Sequence, residues 1–285
     1  MNKISIIIVN WNSGFCLEKC LNSIFQNAEK IELEVFVVDN NSTDGSLNEL
    51  DDKFPSVQFI RNTSNLGFAK ANNQAYAKSS GEFILLLNPD VEILPEALEG
   101  MVSFLSNHRV VGAVGPKMLD SSDEIQAMGY YMKLPTLIAG LFSYLSLQKI
   151  DQLFPAIYKK YFCDLDFDKK SEVEQIPGAC LMVKREVIDK IGFLDERFFV
   201  WMEDVDFCYR IKKNGWKMFY LPTSQIKHIG GVTFNRLKKW EKKFIFTRSL
   251  FLYFLKNKGI FKSFLLSLIF LPKFIHLLLL KVLNR

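Results

Sequence analysis

The chain has 285 residues, 49% of them hydrophobic, enough for one large domain plus an appendage. Its net charge of +5 is uneven: residues 236–285 hold twelve Lys/Arg and one acid, Glu241, and that +11 leaves −6 for the first 235 residues. Positive charge on an apolar tail rather than in a polar groove argues against nucleic-acid binding, and an apolar run that ends as early as Asn10-Trp11-Asn12 is not a signal peptide. Five Cys with no CxxC pair fit a reducing cytosol. Cys16 and Cys20, one helical turn apart and lacking a second ligand pair, read as helix packing rather than a zinc site.

Residues 3–9 read as a buried strand, and 14–28 as a helix with Leu17, Leu21, Ile24 and Phe25 on one face. A strand over 33–38 leads into the polar turn Asn40–Gly45, which suits a helix cap for 45–52. A strand over 57–60 follows. A helix then runs from Asn65-Leu66-Gly67 to about Lys78, and a fourth strand covers 83–87. A helix over 95–106 starts at Pro95, and 110–114 is the fifth strand. This alternation predicts a mostly parallel sheet with helices on both faces.

The rhythm breaks after Pro116. Residues 117–129 read as an irregular hairpin, and 130–172 as an aromatic-rich insertion carrying Tyr130, Tyr131, Phe142, Tyr144, Phe154, Tyr158, Tyr161 and Phe162. A strand over 175–184, a helix over 185–190, a helix over 203–213 ending at Asn214-Gly215 and a short strand over 217–220 complete the body, with Gln225–Gly231 read as a loop. From 240 the pattern is helical and apolar nearly all round. The run 264–280, broken by Pro272, Lys273 and His276, would reach about 25 Å, marginal for a bilayer. Its basic flanks favour two or three helices lying on an anionic membrane surface. The plainer alternative is a C-terminal helix pair packed on the domain or on a second copy, which leaves a homo-oligomer open.

Four constellations fall where open α/β folds place their ligands. Asn10 and Asn12, with Asp39, Asn40 and Asn41, end adjacent strands. A carboxylate there can accept hydrogen bonds from a base or ribose, although such residues also simply cap turns. Asn65-Leu66-Gly67 through Asn72 offers close backbone approach at a helix start. Asn88-Pro89-Asp90 closes the most apolar strand with a carboxylate that suits a divalent cation on a diphosphate. Glu203 and Asp204 open a helix beside the apolar stretch Phe198–Trp201, which would raise the Asp204 pKa towards a general-base range. Glu203 is also explained by helix-start stability alone. His228, beside Gly230-Gly231, is a candidate ligand. No GxGxxG or GxxxxGK[ST] motif is present, which argues against dinucleotide oxidoreductase and P-loop chemistry.

In order and spacing, the segments Ile6–Gly14, Val37–Ser46, Asn65–Asn73, Leu85–Asp90, Val114–Lys117, Gly178-Ala179, Phe193–Phe199, Glu203-Asp204 and His228–Gly231 resemble a family 2 glycosyltransferase of the GT-A fold, in its rhamnosyltransferase-like branch. The resemblance covers about residues 3–232. It implies a catalytic domain over 1–235, with a nucleotide-binding half at 1–116 and an acceptor-binding half at 117–235, followed by the tail 236–285.

By that resemblance, Asp39 binds the donor nucleoside, with Asn10, Asn12, Asn41, Asn65, Gly67, Asn72, Asn88 and Gly178 around the nucleotide sugar. Asp90 and His228 hold Mg²⁺ or Mn²⁺, with Asn88 in place of the first acid of the family's metal motif. Asp204, with Glu203 beside it, is placed as catalytic base for inverting transfer. The donor is a nucleoside-diphosphate sugar, with dTDP-L-rhamnose favoured and UDP-hexoses open. The acceptor is a glycan or a polyprenyl-diphosphate-linked sugar on the inner face of the cytoplasmic membrane, in cell-surface polysaccharide synthesis. A nucleotidyltransferase is disfavoured because Asn10–Gly14 carries no basic residue. A non-catalytic membrane-associated partner of the same fold is the remaining alternative.

Overall fold

The computed structural model describes residues 3–28, 31–126, 133–139, 154–230 and 237–268. Its strands are β1 (Lys3–Asn10), β2 (Glu32–Asp39), β3 (Val57–Arg61), β4 (Phe83–Leu87), β5 (Val91–Ile93), β6 (Val111–Leu119), β7 (Ser171–Glu172), β8 (Cys180–Lys184) and β9 (Lys217–His228). The helices are α1 (Cys16–Gln26), α2 (Leu50–Lys53), α3 (Phe68–Tyr76), α4 (Ala97–Asn107), α5 (Pro155–Tyr161), α6 (Arg185–Ile191), α7 (Glu203–Lys213) and α8 (Lys239–Asn257).

Among the described residues the strands form one sheet in the order β3-β2-β1-β4-β8-β6-β9-β5, with β7 paired to β9. β1, β4 and β8 are buried along nearly their whole length, because helices cover both faces. α3 packs on β1 and β2, α4 on β6 and β9, and α1 against β5. Fully burying each Ile or Leu of β1 and β4 stabilises the sheet by about 1.5–3 kcal/mol, so the strand ends on which the site stands are fixed to a rigid floor.

The predicted parallel run holds for β3-β2-β1-β4. The fifth predicted strand, now β6, does not continue it. β8 enters between β4 and β6 and runs antiparallel to both. An apolar run buried on two faces has the same composition in either direction, so the pattern could not reveal this reversal. Strand β5 escaped prediction because it is three residues long. It pairs antiparallel with the end of β9, with Val91 opposite His228.

Other departures have local causes. The strand expected over 175–184 begins at Cys180, because Pro177 and Gly178 make a turn closed by Cys180 N–H to the Pro177 carbonyl at 3.3 Å. The helix expected over 45–52 shrinks to α2, because Asp44 turns back to accept from Gly14 N and Ser46 N at 2.9 and 3.1 Å. Phe25 does not join Leu17, Leu21 and Ile24 in the core; it lies at the surface and stacks on Phe54 at 5.8 Å. Cys16 and Cys20 are buried free thiols, as helix packing requires. Within the insertion, Tyr130, Tyr131, Phe142 and Tyr144 lie outside the described residues, while Tyr158 and Phe162 stack at 5.6 Å.

The first part of the tail contacts the body. α8 buries Thr247, Ser249, Leu250, Tyr253 and Phe254 and packs on α7. The reading of a C-terminal helix packed on the domain therefore applies to 239–257. A further helical segment over 260–268 buries Ser263 and Leu266 and exposes Ile260, Phe261, Phe264, Leu265 and Leu268. Among the described residues no helix is long and apolar enough to cross a membrane.

Candidate active site

The C-terminal ends of β1, β2 and β4 and the N-terminal end of antiparallel β8 share one sheet edge. Asn10 and Asp39 are register partners at the ends of β1 and β2. The buried Asn10 amide nitrogen shares its two N–H donors among Asp39 Oδ1 at 2.8 Å, Ser42 Oγ at 3.0 Å and Ser46 Oγ at 2.9 Å, while its own oxygen accepts from Ser13. Asp39 Oδ2 accepts from Ser42 N at 3.0 Å. Asn12, with φ of 53°, accepts from Thr43 N at 2.8 Å, and Asn41 is exposed with φ of 63°. Each Asp39 oxygen therefore holds one donor here and keeps acceptor capacity for a second. The two strand-end loops are locked together before any ligand arrives.

Asn65 turns its side-chain oxygen onto Gly67 N at 2.9 Å. Gly67 has φ of +85°, and a Cβ there would overlap the Phe199 carbonyl oxygen. Only glycine lets the start of α3 come this close to the 198–202 loop, which Phe68 N–H then binds through the Phe199 carbonyl at 2.7 Å. The Asn40 amide closes the same junction on the Gly67 carbonyl at 3.2 Å. Asn72 is fully buried and donates to the Phe68 carbonyl at 2.8 Å.

Asn88 N–H binds the Ala179 carbonyl at 2.9 Å, and the adjacent Gly178 N–H donates to Asp204 Oδ2 at 2.9 Å. The turn before β8 thus ties the Asn88–Asp90 loop to the first turn of α7. Asp204 Oδ1 accepts from Val205 N at 2.8 Å. These bonds favour the carboxylate, yet burial outweighs them and raises the Asp204 pKa above the ordinary Asp value. The apolar surroundings expected from Phe198–Trp201 are present, with Phe198 and Val200 buried. Glu203 differs from Asp204 in position. It is only 4% exposed, and burial, with Asp204 beside it, holds its pKa well above the usual Glu range. Asp204 is the partly open member of the pair, whereas Glu203 is buried.

His228 is the last residue of β9, not a loop residue as the sequence suggested. The pairing of β5 with β9 sets it beside Asp90, Nε2 to Oδ1 at 3.4 Å, with both residues buried. Ile229 N–H also binds the Asp90 carbonyl at 3.1 Å. Gln126 fixes the ring. Its amide N–H donates to the His228 carbonyl at 2.5 Å, which leaves Oε1 facing Nδ1 at 3.2 Å. An amide oxygen only accepts, so this contact uses Nδ1 as the donor and leaves Nε2 as the ring nitrogen turned to Asp90. A ring nitrogen and a carboxylate oxygen so placed suit a divalent cation, because two ligands about 2.1 Å from one ion and at right angles lie about 3 Å apart. Among the described residues no group of three His, Cys, Asp or Glu converges.

Sequence reasoning missed Gln126, which lies in an irregular stretch with no pattern to mark it. It also missed the left-handed pair Trp201 and Met202, with φ of 64° and 70°, immediately before Glu203. The serines that surround Asn10 lie within motifs already noted, but their convergence depends on register.

A model described as Glycosyl transferase family 2 matches residues 5–192, and one described as Glycosyl transferase family group 2 matches residues 157–283. The chain is 27% identical over 237 residues to N-acetylglucosaminyl-diphospho-decaprenol L-rhamnosyltransferase of Mycobacterium tuberculosis, covering 79% of this chain and 75% of that protein. It is 27% identical over 219 residues to the low-salt glycan biosynthesis hexosyltransferase Agl10 of Haloferax volcanii, covering 75% and 62%. Among solved structures it is similar to GalNAc-T7 with UDP, GalNAc and Mn²⁺ at a TM-score of 0.62 and 18% identity, covering 80% of this chain and 44% of that one. It is also similar to the mannosyltransferase PcManGT of Pyrobaculum calidifontis with GDP-Man and Mn²⁺, at 0.59 and 18%, covering 90% and 64%. These structural likenesses are of fold, the GT-A fold. With a family model matched over well over half its length, the chain belongs to glycosyl transferase family 2.

Proposed function

We propose that the protein transfers a sugar, with inversion, from a nucleoside-diphosphate donor to a hydroxyl of a glycan or lipid-linked acceptor. The observation that carries this reading is that Asp39 and the Asp90–His228 pair lie at the sheet edge, while Asp204, in the first turn of α7, is tied to the Asn88 loop through Ala179 and Gly178. In this reading Asp39 and the Asn10 network receive the nucleoside. Asp90 and His228 would hold Mg²⁺ or Mn²⁺, as Asn88 cannot supply a carboxylate, and such an ion contributes positive charge for the departing diphosphate. Asp204 takes the proton of the acceptor hydroxyl as its oxygen bonds to the anomeric carbon. The bond from that carbon to the phosphate oxygen breaks, and the nucleoside diphosphate leaves with the electron pair. The raised Asp204 pKa supports this role, since a more basic carboxylate accepts a proton more readily.

The named activity of the mycobacterial relative supports an L-rhamnosyl donor and a diphosphoprenyl acceptor. Such an acceptor is anchored in a membrane. The outward face of 260–268, with Phe261 71% exposed and Lys258 and Lys262 beside it, supports peripheral attachment to an anionic inner-membrane surface. The aromatic insertion 130–172 is the proposed acceptor selector.

The test is a panel of nucleotide sugars incubated with the purified protein in Mg²⁺, Mn²⁺ or EDTA. Metal-dependent nucleoside diphosphate release from one donor supports the reading and identifies the sugar. Failure to bind any nucleoside diphosphate overturns it and favours the non-catalytic partner.

A further inference from the structure

We infer that α8, the first helix of the basic tail, is a positioning element for the catalytic base: it clamps the strained loop 198–202 from which Glu203 and Asp204 project. This inference rests on the proposed role of Asp204.

Two consecutive bulky residues, Trp201 and Met202, are both left-handed, at φ of 64° and 70°. Such a conformation opposes the intrinsic preference of these side chains and persists only where neighbours hold it. It is required here, because it turns the chain abruptly from the buried Phe198–Val200 stretch into α7 and so aims the first helical turn at the Gly178 amide. Besides the start of α3, which binds the Phe199 carbonyl, the neighbours that hold it come from the tail. Ser249 Oγ donates to the Val200 carbonyl at 2.9 Å in a buried contact. The Phe246 ring meets Trp201 edge-on at 6.2 Å. About two turns beyond Ser249 along α8, Lys256 bridges Asp195 Oδ2 at 2.7 Å and Asp206 Oδ2 at 2.8 Å, and Asn257 donates to Asp206 Oδ1 at 2.8 Å. Asp195 precedes the loop and Asp206 follows it, so a single ammonium staples both of its ends. Asp206 is fully buried, two residues from Asp204.

The anchors can be cut without leaving a buried charge alone. Asp206 keeps Arg210 at 2.9 Å and Asn257, and Asp195 keeps Arg197. Full-length Ser249→Ala and Lys256→Met are therefore expected to fold. For each, we expect kcat to fall about 5- to 10-fold, as losing one buried hydrogen bond or anchor implies. Donor KM should stay within about twofold, because the Asn10–Asp39 pocket is not touched. Amide hydrogen exchange over 200–206 should accelerate, and Lys256→Arg should restore kcat.

A lowered melting temperature with kcat and loop exchange unchanged would overturn the inference and leave α8 as structural support only. An equal loss of kcat and nucleotide affinity, from a general loosening, would overturn it too. If the wild-type protein binds no nucleoside diphosphate, the functional reading fails separately. Exchange over 200–206 then still decides whether α8 holds the loop.

Discussion

Replacing Asp204 with Asn removes the base and changes little else. A positioned general base contributes about 10²–10⁴-fold, which corresponds to about 3–5.5 kcal/mol of transition-state stabilisation. The structural cost is smaller. Asp204 accepts one bond from Gly178 N and one from Val205 N, and an Asn side chain can accept only one of them. Losing the other costs about 1 kcal/mol. Removing a charge that burial disfavours offsets part of it, as the raised pKa of Asp204 indicates. We therefore expect kcat to fall by at least about a hundredfold, with the melting temperature nearly unchanged and nucleoside diphosphate affinity by calorimetry intact. In the wild type the base must be ionised, so turnover should decline as pH falls through a pKa displaced above the ordinary Asp range. Retention of more than about a tenth of the wild-type rate would refute the assignment of the base, since that loss is smaller than general-base removal produces. So would loss of nucleotide affinity in parallel with rate.

Gln126→Ala frees the His228 ring, and a lost outer-shell partner typically costs about 10–100-fold in metal affinity; a Mn²⁺ titration of donor binding measures it, and an unchanged midpoint contradicts the ligand role of His228. For Glu203 the fold holds a proton that the unfolded chain has already released above the ordinary Glu range, so this group makes stability fall as pH rises. Glu203→Gln should flatten that dependence in urea melts between about pH 5 and 8 while keeping turnover; an unaltered slope, or lost turnover, removes the distinction between the two acids. The triple variant Phe261→Ser, Phe264→Ser, Leu268→Ser should lose most binding to anionic vesicles in sedimentation. Binding equal to wild type would show that this face does not meet the membrane.

The β1–β4 part of the chain was legible because its elements are regular. The apolar runs of β1, β2 and β4 end at Asn10, Asp39 and Asn88, so both the elements and the carboxylate positions follow from local pattern. The part from β5 onward was less so, because its geometry depends on pairings distant in sequence. Nothing near Asp90 signals that Val91–Ile93 pairs with the end of β9, yet this pairing brings His228 to 3.4 Å. The direction of β8 and the left-handed turn at Trp201-Met202 are likewise set by tertiary packing. The tail shows the limit of composition. Charge and apolarity set 236–285 apart, whereas Lys256 finds its partners in Asp195 and Asp206 of the body.

The most direct measurement follows the reaction by proton NMR with whichever donor the panel identifies, reading the anomeric coupling of the first product before it equilibrates. Inverted configuration, formed in step with nucleoside diphosphate release and absent in Asp204→Asn, is the result we expect. Retained configuration, or product formed equally well without Asp204, would contradict a single displacement driven by that base.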